Sequence, residues 1–265
     1  MPFLHNQILS RGGQGGTGNG NFTLLSSQYP VFKTTTNDAS SHSLEFTLHN
    51  QTPYTNVVDF VYYSALAQGS SFWSSGYTIE AWCYLYAGSN HTEYDNIFRL
   101  GTTVNNYGQA FGLYAPQNNA TSKRFVAWDT GTLGNPQEYR IGDNLVLSNN
   151  QWYHFCIERG ANDAEQAGLA RFSYYINGTQ RYSALHPNIT YSNSAGSYRF
   201  HDTNITFGKG APGPSTGSAG FQGLINSARI STGVRYGSTF TPQTQLTKDA
   251  STWFLVQLNN NYAVE

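Results

Sequence analysis

QWYHFCIERG (151–160), ANDAEQAGL (161–169) and ARFSYYINGTQRYSAL (170–185) form one continuous stretch whose reading decides the fold. Two aromatic, β-rich runs flank residues 160–168, a loop of small and charged residues. A third run follows Asn177-Gly178. Asn-Gly between β-rich runs is a strong hairpin signal, because a type I′ turn needs positive φ at both central residues. The pattern predicts consecutive antiparallel strands over 152–159, 171–176 and 179–184. Tyr153, Phe155 and Ile157 share one face; Trp152, His154 and Cys156 share the other. Neither face is clearly polar, and a strand apolar on both sides is usually sandwiched between layers.

The bulk numbers point the same way. A length of 265 residues suits one β-sandwich, which often runs to about 200–250 residues. Charged residues make up 11% of the chain, against roughly 25% in an average soluble domain. The net charge is −1, so there is no electrostatic footprint for nucleic acid or an anionic membrane. Aromatics reach 15%, with 19 Tyr, beside 27 Gly. Solubility must rest on Asn, Ser, Thr and Gln, and near-zero charge favours association with other proteins. No apolar run of about 18 residues predicts membrane insertion, and no secretory signal is visible. Cys83 and Cys156 match no zinc or redox spacing. They are expected to be buried free thiols acting as small hydrophobes.

Residues 1–21 stand apart from the domain expected over 22–265. MPFLHNQILSR (1–11) is mildly apolar and precedes GGQGGTGNG (12–20). Glycine loses the most backbone entropy on ordering. As a flexible tether, nine such residues span about 17 Å on average and at most about 30 Å. The expectation is an assembly arm that delivers Phe3, Leu4, Ile8 and Leu9 to a neighbouring subunit. A frayed terminus is the alternative.

Further strands are predicted at SLEFT (43–47), 56–67, GYTIEAWCYL (76–85), NIFRLG (96–101), AFGLY (110–114), RFVAW (124–128) and NITFG (204–208). FQGLINSARI (221–230) and TWFLVQLN (252–259) complete the set. In 76–85, Ile79, Ala81, Cys83 and Leu85 share one face, and Glu80, Trp82 and Tyr84 the other. No long helical period and no repeat of 20–50 residues is present.

These motifs, taken in order, resemble laminin G-like, concanavalin A-like jelly rolls. YTIEAW is similar to the hallmark second strand of that family, and NQWYHFCIERG with ARFSYYINGTQ to its central signature. FQGLINSARI resembles its closing strand, with Asn226 and Ser227 where the family usually has Asp and Glu. TGVRY (232–236), FTP (240–242) and the final strand are similar to the ending of such modules in tailed-phage structural proteins. The resemblance spans about residues 40–260. It implies an all-β, two-sheet antiparallel jelly roll, with the strands at 44–47 and 253–258 in one sheet.

It also frames the search for chemistry. Relatives of this fold include β-glucanases, marked by a Glu-Xaa-Asp-Xaa-Xaa-Glu strand, and a retaining glycosidase holds its carboxylates about 5–5.5 Å apart. No such strand occurs here: Glu158, Asp163 and Glu165 are irregularly spaced, and Glu80 reads as a lone structural acceptor. No Gly-Xaa-Ser-Xaa-Gly or His-Glu-Xaa-Xaa-His motif exists. No enzyme activity, no catalytic residue and no cofactor are therefore expected. Calcium is the family's common metal and needs six or more oxygens. Asp95, Asn96, Asp129 and Asp202 are loop oxygens within reach of that role, but no Asp-Xaa-Asp string exists and no ligand set is named. The expected function is a non-catalytic virion protein: a phage decoration, fibre or tail component. It is assembled in the host cytoplasm, present in multiple copies and partnered by other virion proteins. The alternative is a lectin module for host-surface carbohydrate, with loop residues Tyr94, Tyr107 and Tyr191 as candidate glycan contacts.

Overall fold

The computed structural model describes residues 20–24, 31–33, 43–46, 58–62, 74–86, 94–100, 110–114, 124–129, 137–139, 145–187, 204–207 and 221–257. In chain order its strands are β1 (Gly20–Leu24), β2 (Val31–Lys33), β3 (Ser43–Phe46), β4 (Val58–Tyr62), β5 (Tyr77–Leu85), β6 (Tyr94–Leu100), β7 (Ala110–Tyr114), β8 (Arg124–Asp129) and β9 (Gln137–Tyr139). There follow β10 (Gln151–Arg159), β11 (Leu169–Ile176), β12 (Thr179–Pro187), β13 (Asn204–Phe207), β14 (Gly223–Thr232) and β15 (Thr252–Gln257). They form two antiparallel sheets. The first has the order β1-β4-β13-β6-β7-β8-β9. The second runs β12-β11-β10-β5-β14-β3-β2, with β15 also on β14.

The expected hairpin is present. Asn177 and Gly178 both take positive φ, 50° and 74°, and join β11 to β12. Asn177 is pinned further: its carboxamide oxygen accepts the His154 N–H at 2.8 Å. The loop after β10 is tied by Arg171, whose guanidinium pairs with Glu165.

Strand alternation sorts the second sheet into two faces. Ile79, Ala81, Cys83, Leu85, Phe155, Ile157, Phe172, Tyr174, Ile176, Ala228 and Ile230 lie on one face and are buried. Burial of each larger apolar side chain contributes on the order of 1.5–3 kcal/mol. Thr78, Glu80, Trp82, Tyr84, Trp152, His154, Cys156, Glu158, Tyr175, Ser227 and Arg229 lie on the other. Cys83 and Cys156 are free, buried thiols. Their strand parity puts them on opposite faces, so the sheet separates them.

β14 is the branch point of this sheet. One edge pairs with β5 along its length; the other takes β3 at Gly223–Ile225 and then β15 at Ser227–Ser231. The first and last sequence-predicted strands of the domain thus share a sheet, as expected, joined through β14. Its register on β5 shifts between Ile225 and Ser227. The extra residue is Asn226, and this bulge lets Ile225 and Ala228 both face the core. Gly20 and Asn21 begin β1; the rest of the arm, with Phe3, Leu4, Ile8 and Leu9, lies outside the described residues.

Candidate functional site

The second face of the sheet is not open to solvent along most of its length. After β14 the chain turns back as a strap, residues 233–249, laid over it. Three cross-strand rows lie beneath: Glu158, Thr78 and Ser231; Cys156, Glu80 and Arg229; His154, Trp82 and Ser227. Arg229 and Glu80 are fully buried and bonded through Nε–Oε1 (2.8 Å) and Nη2–Oε1 (2.7 Å). His154 Nε2 and the Tyr236 hydroxyl each reach Glu80 Oε2 at 2.9 Å. Arg229 Nη1 donates onward to the Thr247 carbonyl at 2.6 Å. Burial alone would raise the Glu80 pKa. The hydrogen bond from His154 and the charges of His154 and Arg229 outweigh that and hold the carboxyl below its usual range.

Glu158 is anchored differently. Its carboxylate accepts three successive backbone N–H groups of the strap, from Arg235 (3.0 Å), Tyr236 (2.8 Å) and Gly237 (3.0 Å), and the Tyr175 hydroxyl at 2.9 Å. Consecutive amides converging on one anion form a nest. Burial and the neighbouring Glu158 charge push the Tyr175 hydroxyl far above its ordinary pKa, so it stays a donor. Phe240 completes the clasp. It stacks on Tyr236 with centroids 3.4 Å apart and meets His154 and Tyr175 edge-on. Its N–H donates to the Gly178 carbonyl at 2.9 Å, and Trp82 Nε1 donates to the Gln243 carbonyl at 2.8 Å. Asp249 ends the strap: it pairs with Arg235 and accepts from Ser251 and Thr252.

These contacts correct one expectation. The sequence shows no paired-carboxylate strand because the pair is made across two strands. Glu80 and Glu158 are diagonal neighbours on one face, a relation that sets residues about 7–8 Å apart and their Cβ atoms somewhat closer. In this arrangement both serve the strap: Glu80 is 0% and Glu158 2% exposed, and both are saturated with donors. Glu80 is the structural acceptor expected of it.

The sequence-predicted contacts fare differently. Tyr94 opens β6 opposite Tyr114, so it belongs to a strand rather than a loop. Tyr107 and Tyr191 lie outside the described residues. Asp95 and Asn96 also sit within β6, and Asp129 ends β8; Asp202 lies outside. Among the described residues no three His, Cys, Asp or Glu side chains are grouped to hold a metal ion. Sequence reasoning missed an aromatic cluster at the far end of the polar face. Beyond the third row Trp152 pairs with Tyr84, at 5.4 Å between ring centroids, and Tyr84 meets Tyr86 at 5.9 Å. The signal in the sequence was two aromatics on the non-core parity of neighbouring strands.

With this fold in view, a family profile for the concanavalin A-like lectin/glucanases superfamily matches residues 62–238. The chain belongs to that superfamily. No curated protein matches it in sequence. Among solved structures it resembles domain 4 of AbnA, an extracellular arabinanase of Geobacillus stearothermophilus solved with arabinotriose. Identity is 15%, coverage 82% of this chain and 85% of that one, and the TM-score 0.46. It also resembles the enzymatically active domain of tailspike protein 2 of bacteriophage CBA120, at 13% identity and TM-score 0.46. That match covers 85% of this chain but 30% of the other. A third is a carbohydrate esterase of the Shiga toxin-encoding bacteriophage phi24B, at 13% identity, 78% and 89% coverage and TM-score 0.46. The expectation that the chain is not an enzyme therefore does not stand, because structures sharing its fold include enzymes. At these identities the likeness concerns the fold and assigns no activity.

Proposed function

We propose that this chain is a structural protein of a phage particle that presents a lectin-like jelly roll to host-surface carbohydrate. The observation that carries the reading is the strap. Its sequence resembles the ending of laminin G-like modules in tailed-phage structural proteins, and three of the motif residues have a defined job. Arg235 and Tyr236 bring their N–H groups to Glu158, Tyr236 caps Glu80, and Phe240 stacks over the clasp. The low charge of the chain supports a place in an assembly. In this reading residues 1–21 tie the domain to a neighbouring chain through Phe3, Leu4, Ile8 and Leu9, and many copies act together. The test is to locate the protein in purified particles by mass spectrometry and immunogold labelling. Particles that lack it, from cells that make it, refute the reading. Deletion of residues 2–19, which leaves β1 whole, is expected to abolish incorporation while leaving the thermal midpoint of the domain nearly unchanged.

A further inference from the structure

The Asn177-Gly178 hairpin is gripped from two sides, and its sequence is chemically labile. Asparagine before glycine is open to deamidation, because glycine carries no side chain to shield its own nitrogen. Water is the only co-reactant. The Gly178 nitrogen gives its proton to solvent and attacks Asn177 Cγ. An N–Cγ bond forms, the Cγ–Nδ2 bond breaks, and Nδ2 leaves as ammonia with a proton from solvent. Water then opens the cyclic imide. Breaking the new N–Cγ bond gives aspartate. Breaking the Asn177 C–N bond instead gives isoaspartate, whose main chain runs through Cβ and Cγ and is one carbon longer.

The closed structure opposes the first step. Asn177 and Gly178 have φ of 50° and 74°. In a left-handed residue, with ψ of about +47°, the following nitrogen stands nearly anti to Cβ, whereas ring closure needs the two syn. The 177–178 peptide must therefore swing round before Gly178 can reach Cγ, and neither side of it is free to do so. Asn177 donates its N–H to the His154 carbonyl at 2.8 Å, and its Oδ1 accepts the His154 N–H at 2.8 Å. Gly178 is buried beneath the strap, and its carbonyl accepts the Phe240 N–H at 2.9 Å. Strap and turn are so close that a Cβ on Gly178 would strike the Phe240 carbonyl and the Pro242 ring. Past the turn, the Gln180 N–H donates to Thr239 Oγ1 at 3.3 Å.

We propose that Asn177 is a deamidation site gated by the strap, and that its isoaspartyl product no longer holds the strap closed. Aspartate at 177 still offers an acceptor to the His154 N–H and tolerates the left-handed conformation. Isoaspartate lengthens a two-residue turn by one carbon and carries the Gly178 carbonyl away from Phe240. The modification thus records opening of the strap, a local event separate from global unfolding.

The experiment ages the full chain in neutral buffer at a fixed temperature. Aliquots are denatured and cut with trypsin at Arg171 and Arg181. Mass spectrometry of the 172–181 fragment reads Asn177, and isoaspartyl methyltransferase separates the two products. A synthetic 172–181 peptide sets the unrestrained rate. Folded wild type should react about tenfold or more slowly than the peptide. Phe240→Ala and Glu158→Gln, which loosen the strap, should both react faster than wild type. Equal rates in folded wild type and peptide overturn the protection. Variants cut faster at Arg235 in the native state, yet deamidated at the wild-type rate, overturn gating by the strap. Sub-denaturing urea tests the gate without any substitution: the Asn177 rate should rise together with native-state cleavage at Arg235. A rate that stays flat until global unfolding overturns the gate. Aged wild type rich in isoaspartate should be cut at Arg235 faster than fresh protein, while Asn177→Asp is cut at the fresh rate. Equal cutting of aged and fresh protein, or matching loosening in Asn177→Asp, overturns release by the isoaspartyl product.

Discussion

Arg229→Met removes a buried guanidinium while keeping an unbranched side chain of similar reach. Four contacts go with it: two to Glu80 Oε1 at 2.7 and 2.8 Å, one to the Thr247 carbonyl at 2.6 Å and one to the Tyr236 hydroxyl at 3.3 Å. Glu80 keeps His154 and Tyr236 but becomes a buried anion without its principal counter-charge. Removing one partner of a buried, hydrogen-bonded pair costs about 3–5 kcal/mol. Unfolding entropy scales at about 2.1 cal/mol/K per residue, or about 0.5 kcal/mol/K for this chain, so the midpoint should fall by about 6–10 °C. The assay is thermal unfolding followed by circular dichroism, paired with limited trypsin digestion at Arg235 in the strap. Glu80→Gln should cost at least about 1 kcal/mol less in the Arg229→Met background than alone, since the two residues share one network. A midpoint within about 2 °C of wild type, or additive costs in the double variant, would falsify the assignment of this pair as the anchor of the strap.

Other outcomes follow from the same contacts. Glu158→Gln puts an amide among donors that converge on the carboxylate and should cost about 1.5–3 kcal/mol, with faster cleavage at Arg235; unchanged digestion argues against the nest. Gly178→Ala, at φ 74°, drives a Cβ into the Phe240 carbonyl and the Pro242 ring, whereas Gly168→Ala, at φ 80°, meets nothing within 4 Å. The second should lose only about 1–2 kcal/mol from backbone strain and the first clearly more, as read by urea denaturation. Glu80 titrates lower in the folded chain than in the unfolded one. Its contribution is therefore complete above about pH 4.5 and fades as acid approaches its folded value. The midpoint should drop between about pH 5 and pH 3, and Glu80→Gln should flatten that drop. Burial raises both thiols well above their ordinary pKa, so iodoacetamide should label neither Cys83 nor Cys156 until denaturant is added; labelling of the native protein contradicts their burial.

The strands were legible because each carries its evidence locally. Asn177-Gly178 dictates its own turn, and the alternation in 76–85 separates Ile79 and Ala81 from Glu80 and Trp82 without reference to any partner. The doubly apolar character of the strand at 152–159 also pointed correctly to cover on both faces. What covered the second face was not legible. The strap has no periodicity, since it is fixed by long-range bonds from Glu158, Gly178 and Trp82 to backbone atoms that every residue possesses. The carboxylate pair was hidden for a related reason: Glu80 and Glu158 become neighbours only through the β5–β10 register. The Asn226 bulge escaped as well. Its signature, a change of parity between Ile225 and Ala228, is visible only once it is known which face each residue lines.

The pairing of Glu80 with Arg229 spans 149 positions of sequence, and this has a bearing on how the chain is made. β5 is complete by Leu85, yet its second neighbour β14 begins at Gly223, and the strap that seals the sheet ends later still, at 249. A ribosome adding about 5–20 residues per second needs on the order of ten seconds or more to cover that interval. Until β14 emerges, the sheet built from β5, β10, β11 and β12 keeps one long edge of β5 unpaired, and until the strap emerges one face lacks its cover. Non-local topologies of this kind fold slowly and aggregate from their intermediates. A nascent chain interrupted anywhere before the strap should consequently be a client of chaperones or a component of inclusion bodies. Completion of the strap, rather than of the first sheet strands, is the event that commits this domain to its fold.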